Sequence, residues 1–151
     1  MDPKSLLDPA AIIELSRCVS TPVRPVKEVH ALRNGSEAFP VMLDLIGSAT
    51  KSVWFENFIF AGDATGQRFA RALGKAARRG VEVRVLYDPV GTMMVKGGSI
   101  ANALAAEGVT ARAFRPVSLL KPWTWPRLRH RDHRKTMVVD SEVAVVGGLC
   151  I

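Results

Sequence analysis

The chain has 151 residues, 48 % apolar and 23 % charged, an ordinary globular mixture long enough to bury a core without disulfide or metal staples. With 21 Lys and Arg against 14 Asp and Glu the formal charge is +7, which suits a polyanionic partner, nucleic acid or an anionic membrane surface alike. Cys18 and Cys150 stand apart, with no Cys-x-x-Cys and no His cluster; this excludes a disulfide framework and a zinc site and fits a reducing compartment.

No apolar run approaches the roughly 18 residues that span a bilayer, and no charged segment followed by an apolar stretch opens the chain as a signal peptide would. The expected location is cytoplasmic, peripheral to a membrane.

Asp8-Pro9 reads as a cap and a first-turn proline opening a helix to about Cys18, with Ile12, Ile13 and Leu15 as its apolar side. Ser20 to Pro25 reads as a linker, so residues 1–25 are taken as a helix and linker and residues 26–151 as the main domain. There, strands and helices alternate. Val26–Leu32 is a strand candidate, and Asn34-Gly35-Ser36 turns into a helix ending near Gly47, with a late start that leaves Pro40 in its first turn. Ser52–Phe60 reads as a strand buried on both faces except at Glu56 and Asn57. Thr65 is expected to cap a helix carrying Phe69, Leu73 and Ala76, closed by Gly80.

Val81–Tyr87 alternates as a strand, Ser99–Glu107 is a helix stopped by Gly108, and Val109–Phe114 is a further strand. Lys96-Gly97-Gly98-Ser99 lacks the spacing of a phosphate loop. A long segment from Arg115 to about Arg131 holds Pro116, Pro122, Pro126, Trp123 and Trp125, and loops of this length are usually functional. Its cations and tryptophans suit a membrane interface or a nucleic-acid backbone, or else a solvated loop whose indoles pack on the domain. Two strands, His133–Val139 and Glu142–Val146, close the pattern through Asp140-Ser141. The whole is an α/β sandwich with a largely parallel sheet. The apolar end, Gly147 to Ile151, would place a terminal carboxylate against the core, and so reads as a truncation.

The segment that carries chemistry is His133-Arg134-Lys135-Thr136-Met137-Val138-Val139-Asp140, followed by Gly147-Gly148. On a strand, residues two apart face the same way, so His133 and Lys135 share a surface. An imidazole there can attack phosphorus or protonate a leaving group, and an ammonium neutralises charge that builds on phosphate oxygens. Asp140, of opposite parity and at the turn, is expected to fix backbone rather than touch phosphate.

This segment resembles the His-x-Lys-x4-Asp-x6-Gly-Gly signature of the phospholipase D superfamily. Asn34–Phe39, Trp54–Phe60, Gly80–Asp88 and Gly108–Phe114 look like the N-terminal half of bacterial cardiolipin synthases, so the similarity runs from about Val26 to Ile151. The resemblance implies a phospholipase D-like α/β lobe with a mostly parallel or mixed sheet flanked by helices. It implies that His133, Lys135 and Asp140 form one of two facing catalytic motifs, with Gly147 and Gly148 beside the substrate and neither metal nor cofactor; Glu56 reads equally as a residue beside the substrate and as a structural partner for backbone or a basic group. The implied reaction is phosphatidyl transfer between phosphatidylglycerol molecules through a phosphohistidine, at an anionic membrane surface of the inner membrane. A second lobe, in the same chain or a homodimer, is the implied partner. Cys150 stands where the signature often has Asn, and no second His-x-Lys occurs: His30 precedes Ala31-Leu32, and His130 precedes Arg131-Asp132. A homodimeric one-motif phosphodiesterase or nuclease, and an inactive lipid-binding lobe, are the alternatives. His30 reads as an ordinary surface histidine.

Overall fold

The computed structural model describes residues 9–18, 21–22, 26–93, 100–117 and 120–151, which fall into two compact units, one ending at Leu32 and one beginning at Arg33. Asp8, most of the linker at 20–25 and the Lys96–Ser99 turn lie outside the described residues. In the first unit, helix α1 (Pro9–Cys18) starts at its proline, and the Thr21 N–H donates to the Ser16 carbonyl at 3.2 Å. The strand expected over Val26–Leu32 is absent: these residues are irregular, and Val26 and Val29 are exposed. Alternation alone does not hold a strand that has no neighbour to pair with. His30 is a surface residue, 3.0 Å from Glu28.

The second unit is built on a five-stranded mixed sheet of order β3-β2-β1-β4-β5. Strands β1 (Ser52–Asn57), β2 (Glu82–Tyr87) and β3 (Thr110–Ala113) run parallel, and β4 (Lys135–Val139) and β5 (Val143–Val146) are antiparallel additions. Helices α2 (Asn34–Ser48), α3 (Ala64–Arg78), α4 (Pro89–Met93) and α5 (Ile100–Ala106) lie in the connections. One parity of the strands supplies the core: Val53, Phe55, Val83, Val85, Met137 and Val139 pack with Ile46, Phe69, Leu73 and Leu104 from the helices.

The other parity stays open. Trp54 is 48 % exposed beside an exposed Arg84, its neighbour across β2. This corrects the reading of Ser52–Phe60 as buried on both faces; helices cover one face of β1 here, and the strand ends at Asn57.

Helix α2 also departs from expectation. It begins at Asn34, with Pro40 inside it rather than in its first turn. The early start follows from local capping: Asn34 Oδ1 accepts the Ser36 N–H at 3.0 Å, and Glu37 Oε2 accepts the Arg33 N–H at 2.7 Å. Pro40 is exposed, where water can take up the carbonyl it leaves unpaired. For α3 the cap is Asp63, not Thr65; Asp63 Oδ1 accepts the Gly66 N–H at 2.9 Å. Gly80 and Gly108 do end α3 and α5, with φ of +90° and +76°.

The β4–β5 turn is tied to the far end of β1. Asp140 and Ser141 both have positive φ, 54° and 59°, and the Glu142 N–H donates to the Val139 carbonyl at 3.0 Å, which is the dihedral class that suits a tight hairpin. The Asp140 carboxylate accepts the N–H groups of Thr50, Lys51 and Ser52 at 2.8–2.9 Å and the Thr50 hydroxyl at 2.9 Å. The backbone bonds from Ser52, Thr50 and Lys51 hold its pKa well below the usual carboxylate range. A carboxyl depressed in the fold stabilises above its unfolded pKa of about 3.9 and loses that contribution as pH falls toward the folded value. Asp140→Asn should therefore lower the melting temperature at pH 7, because an amide NH₂ would face backbone N–H donors. The deficit should shrink as the pH is taken below about 4; a pH-independent deficit would assign the loss to packing instead.

Candidate active site

His133 lies just before β4, and Lys135 is that strand's first residue. Both are gathered on one aromatic platform. The His133 imidazole stacks on Phe58 with ring centroids 3.8 Å apart and planes 23° off parallel. Lys135 Nζ sits 5.3 Å from the centre of the same ring and donates to the His133 carbonyl at 2.6 Å. His133 is exposed and precedes the strand rather than lying in it, yet base and cation still share one surface. Phe58 is held by α4, an element with no clear sequence signal. A Cβ on Gly91 would come within 2.6 Å of the Phe58 carbonyl and 3.0 Å of its ring, so only glycine permits this approach.

The segment entering the motif is anchored from below. Arg131 forms a bidentate pair with Asp88, Nε to Oδ2 at 2.8 Å and Nη2 to Oδ1 at 2.7 Å, with side chains 11 % and 0 % exposed. The same guanidinium donates to the carbonyls of Phe114 at 2.8 Å and Arg115 at 3.0 Å. Asp88 also accepts the Asp132 N–H at 3.2 Å and the Val90 N–H at 2.9 Å. The ends of β2 and β3 and the start of the motif thus meet at one buried carboxylate.

On the other side of the strand, Glu56 stands directly across from Thr136, whose hydroxyl donates to it at 3.1 Å. Arg134 Nε lies 3.1 Å from Asp132 Oδ1 and 3.6 Å from Glu56 Oε1. Burial raises the Glu56 pKa, and its hydrogen bond with the Asp132 carboxyl raises it further. Burial opposes ionisation of Asp132 as well, but hydrogen bonds from Glu56 and from the Arg134 backbone and guanidinium outweigh it and lower its pKa. The two acids therefore divide the work: Glu56 keeps a proton to higher pH and Asp132 carries the charge.

Asn57, paired across the sheet with Lys135, is buried, and its Oδ1 has no hydrogen-bond partner among the described residues. Gly147 donates its N–H to the Lys135 carbonyl at 3.2 Å, and nothing lies within 4 Å of where a Cβ would stand on Gly147 or Gly148. Gly147 thus leaves bare backbone next to Lys135. Asp140, grouped in sequence with His133 and Lys135, is engaged with backbone at residues 50–52. Sequence reasoning missed Phe58, Gly91, Asp88, Arg131 and Asp132. The only signal for the acids and Arg131 was polar residues placed at the ends of apolar strands. Among the described residues no group of three His, Cys, Asp or Glu side chains gathers as metal ligands do.

Two substitutions probe this arrangement. Removing one partner of a buried ion pair leaves the other charge stranded, so Arg131→Met should destabilise the chain by about 3–5 kcal/mol in urea titration. A loss below about 1 kcal/mol would mean that the pair is solvated. Glu56→Gln separates the two acids. A glutamate whose pKa is raised in the fold stabilises below its unfolded value, about 4.3, and loses that contribution as pH rises through the folded one. Glutamine donates to Asp132 and accepts from Thr136 at any pH. The variant should melt with the parent near pH 4 and above it at pH 8; melting below the parent at pH 8 would show that the Arg134–Glu56 ion pair dominates.

Residues 42–150 match the family model described as "Cardiolipin synthase, PLD-like domain". The chain is 37 % identical over 130 residues to a cardiolipin synthase of Geobacillus kaustophilus (strain HTA426), covering 86 % of this chain and 25 % of that protein. It is 34 % identical over 115 residues to one of Staphylococcus aureus (strain Mu50 / ATCC 700699), covering 76 % of this chain and 23 % of the relative. It thus spans about a quarter of the length of these relatives. Among solved structures, Nuc from Salmonella typhimurium, a phospholipase D family member, superposes with TM-score 0.57 at 22 % identity, over 78 % of this chain and 66 % of that one. NucT from Helicobacter pylori gives TM-score 0.55 at 18 % identity, over 76 % and 67 %; at such identities the likeness is one of fold. With most of its length matched by the family model and its sheet shared with phospholipase D proteins, the chain belongs to the cardiolipin synthase family of phospholipase D-like domains.

Proposed function

We propose that this chain supplies one half of a two-half phosphatidyl-transfer site that joins two phosphatidylglycerol molecules at an anionic membrane surface, on the cytoplasmic side of the inner membrane. The observation that carries the reading is the seating of His133 and Lys135 on the single ring of Phe58, in a chain 37 % identical to a cardiolipin synthase. In the proposed reaction one imidazole attacks phosphorus. A P–N bond forms as the P–O bond to the leaving glycerol breaks, and an opposing imidazole donates the proton that glycerol needs. A phosphatidylglycerol hydroxyl then displaces the histidine and gives its proton back to the opposing base. His133 takes one of these roles and a second lobe, in the same polypeptide or a homodimer, provides the other.

Lys135 neutralises the non-bridging oxygens, and the bare backbone of Gly147 and Gly148 leaves room for the phosphate beside it. Asp140 acts through the backbone. Glu56, on the opposite face from Lys135, serves as a positioning residue through Thr136 and Arg134.

An assay of cardiolipin formation from phosphatidylglycerol, run with sedimentation on the same sample, tests the reading. The chain alone should turn over near background, because each positioned acid or base typically contributes on the order of 10²–10⁴-fold. Paired with its opposing lobe it should be active. His133→Asn should abolish that activity with an unchanged melting temperature, and EDTA should have no effect, since a lysine rather than a metal neutralises the phosphate. A strictly monomeric sample with high turnover, or activity retained in His133→Asn, would sink the two-half mechanism. An active homodimer that cleaves DNA would establish the one-motif nuclease in its place.

A further inference from the structure

The segment between β3 and β4 is a closed excursion. Arg131 binds the carbonyls of Phe114 and Arg115 and the Asp88 carboxylate at once, so the two ends of the loop are clasped together at a neck, as in a compact Ω-loop. Within it, Pro122–Arg129 forms a 3₁₀ helix, in which residues three apart fall into rows. Thr124 faces the protein: it is buried, and its N–H and hydroxyl both bond to the Lys121 carbonyl, at 2.8 and 2.7 Å. The rows of Pro122, Trp125 and Leu128, and of Trp123, Pro126 and Arg129, therefore face outward. Exposure agrees: Leu120 is 90 %, Trp123 72 %, Trp125 49 % and Leu128 48 % exposed. Trp123 therefore does not pack on the domain, and Trp125 does so with about half of its surface.

Four exposed large apolar side chains in one short segment are not what a soluble surface carries singly. Their setting is cationic, for between Phe114 and Asp132 the sequence holds Arg115, Lys121, Arg127, Arg129 and Arg131 and no Asp or Glu. We infer that residues 120–129 are a membrane-docking element that seats its indoles and leucines at the headgroup–acyl boundary of an anionic phospholipid bilayer, with Lys121 and Arg129 on the headgroups. Tryptophan prefers that depth, apolar at one end and wet at the other. Nucleic acid is the weaker fit: stacking would engage the indoles, but Leu120 and Leu128 would gain nothing from a phosphate backbone. Because the neck residue Arg131 lies two positions before His133, the docked loop sets the height of the catalytic histidine above the lipid phosphates. The inference rests on the phosphatidyl-transfer reading for its purpose but not for its test.

The chain has three tryptophans, and Trp54 is remote in sequence from the loop, so Trp54→Phe leaves only the loop indoles as reporters. Their fluorescence should shift blue with vesicles of equimolar phosphatidylglycerol and phosphatidylcholine, should be quenched when the acyl chains carry bromine, and should stay unshifted with phosphatidylcholine alone. By co-sedimentation, Trp123→Ser/Trp125→Ser should weaken vesicle affinity about tenfold or more. Lys121→Gln and Arg129→Gln should each weaken it about fivefold at low salt, with melting temperatures unchanged. Wild-type affinity in the double tryptophan variant, or a blue shift with duplex DNA and none with vesicles, would overturn the inference. His133→Asn should bind vesicles as the parent does, so a failed transfer assay with intact docking would reject the enzymatic reading alone.

Discussion

The buried pair between Asp88 and Arg131 is the constraint on which the site depends. A parallel sheet leaves the carboxyl ends of its strands as an open rim, and the chain must be brought back to that rim from β3 before β4 can pair with β1. Here one carboxylate, with no exposed surface, receives a guanidinium and backbone N–H groups from residues 90, 91 and 132. Without such convergence a buried ion pair is a poor source of stability, because its desolvation offsets its attraction. With it, every lone pair has a donor, and the gain is positional: β2, β3, the loop neck and the catalytic segment are fixed to one point. Arg131 is more exposed than its partner, as expected of a residue that also closes the loop.

Around this anchor the strand separates two chemistries by parity. Lys135 faces His133 and Phe58, whereas Arg134 and Thr136 face the acids Glu56 and Asp132. The acidic side thereby keeps its negative charge paired with Arg134, and on the opposite face from Lys135 and His133. Asn57 sits on the lysine side with an unmatched carbonyl oxygen. A buried acceptor without a donor is costly, and no packing need explains it.

Much of this was legible in the sequence. Alternating strands and helices gave the α/β class, and Gly80 and Gly108 marked helix ends because left-handed φ is a local requirement. The His-x-Lys pair was visible because strand parity is a local rule. What escaped depended on partners far along the chain. Val26–Leu32 alternates like a strand yet pairs with no strand among the described residues, and Pro40 suits a helix start, whereas the capping by Asn34 and Glu37 begins the helix six residues earlier. Asp88 and Arg131, 43 residues apart, carry no mutual signal in a single sequence. Phe58 read as one more apolar strand residue, although the strand stops one position earlier.

The aspartate of the motif gains a meaning from the turn it occupies. Side chains on a strand alternate faces, so sliding β4 past β1 by one position would bring Arg134 or Thr136 to the side of Phe58 and turn Lys135 toward Glu56. Hydrogen bonding along β4 alone resists such a slip weakly, since a shifted ladder makes nearly as many bonds. Asp140 does not slide: a two-residue left-handed turn fixes its position in the hairpin, and its carboxylate fits only the N–H groups of residues 50–52. An acid engaged with backbone thus decides which cation shares a face with His133, and the fixed interval from histidine to aspartate acts as a ruler for frame fidelity.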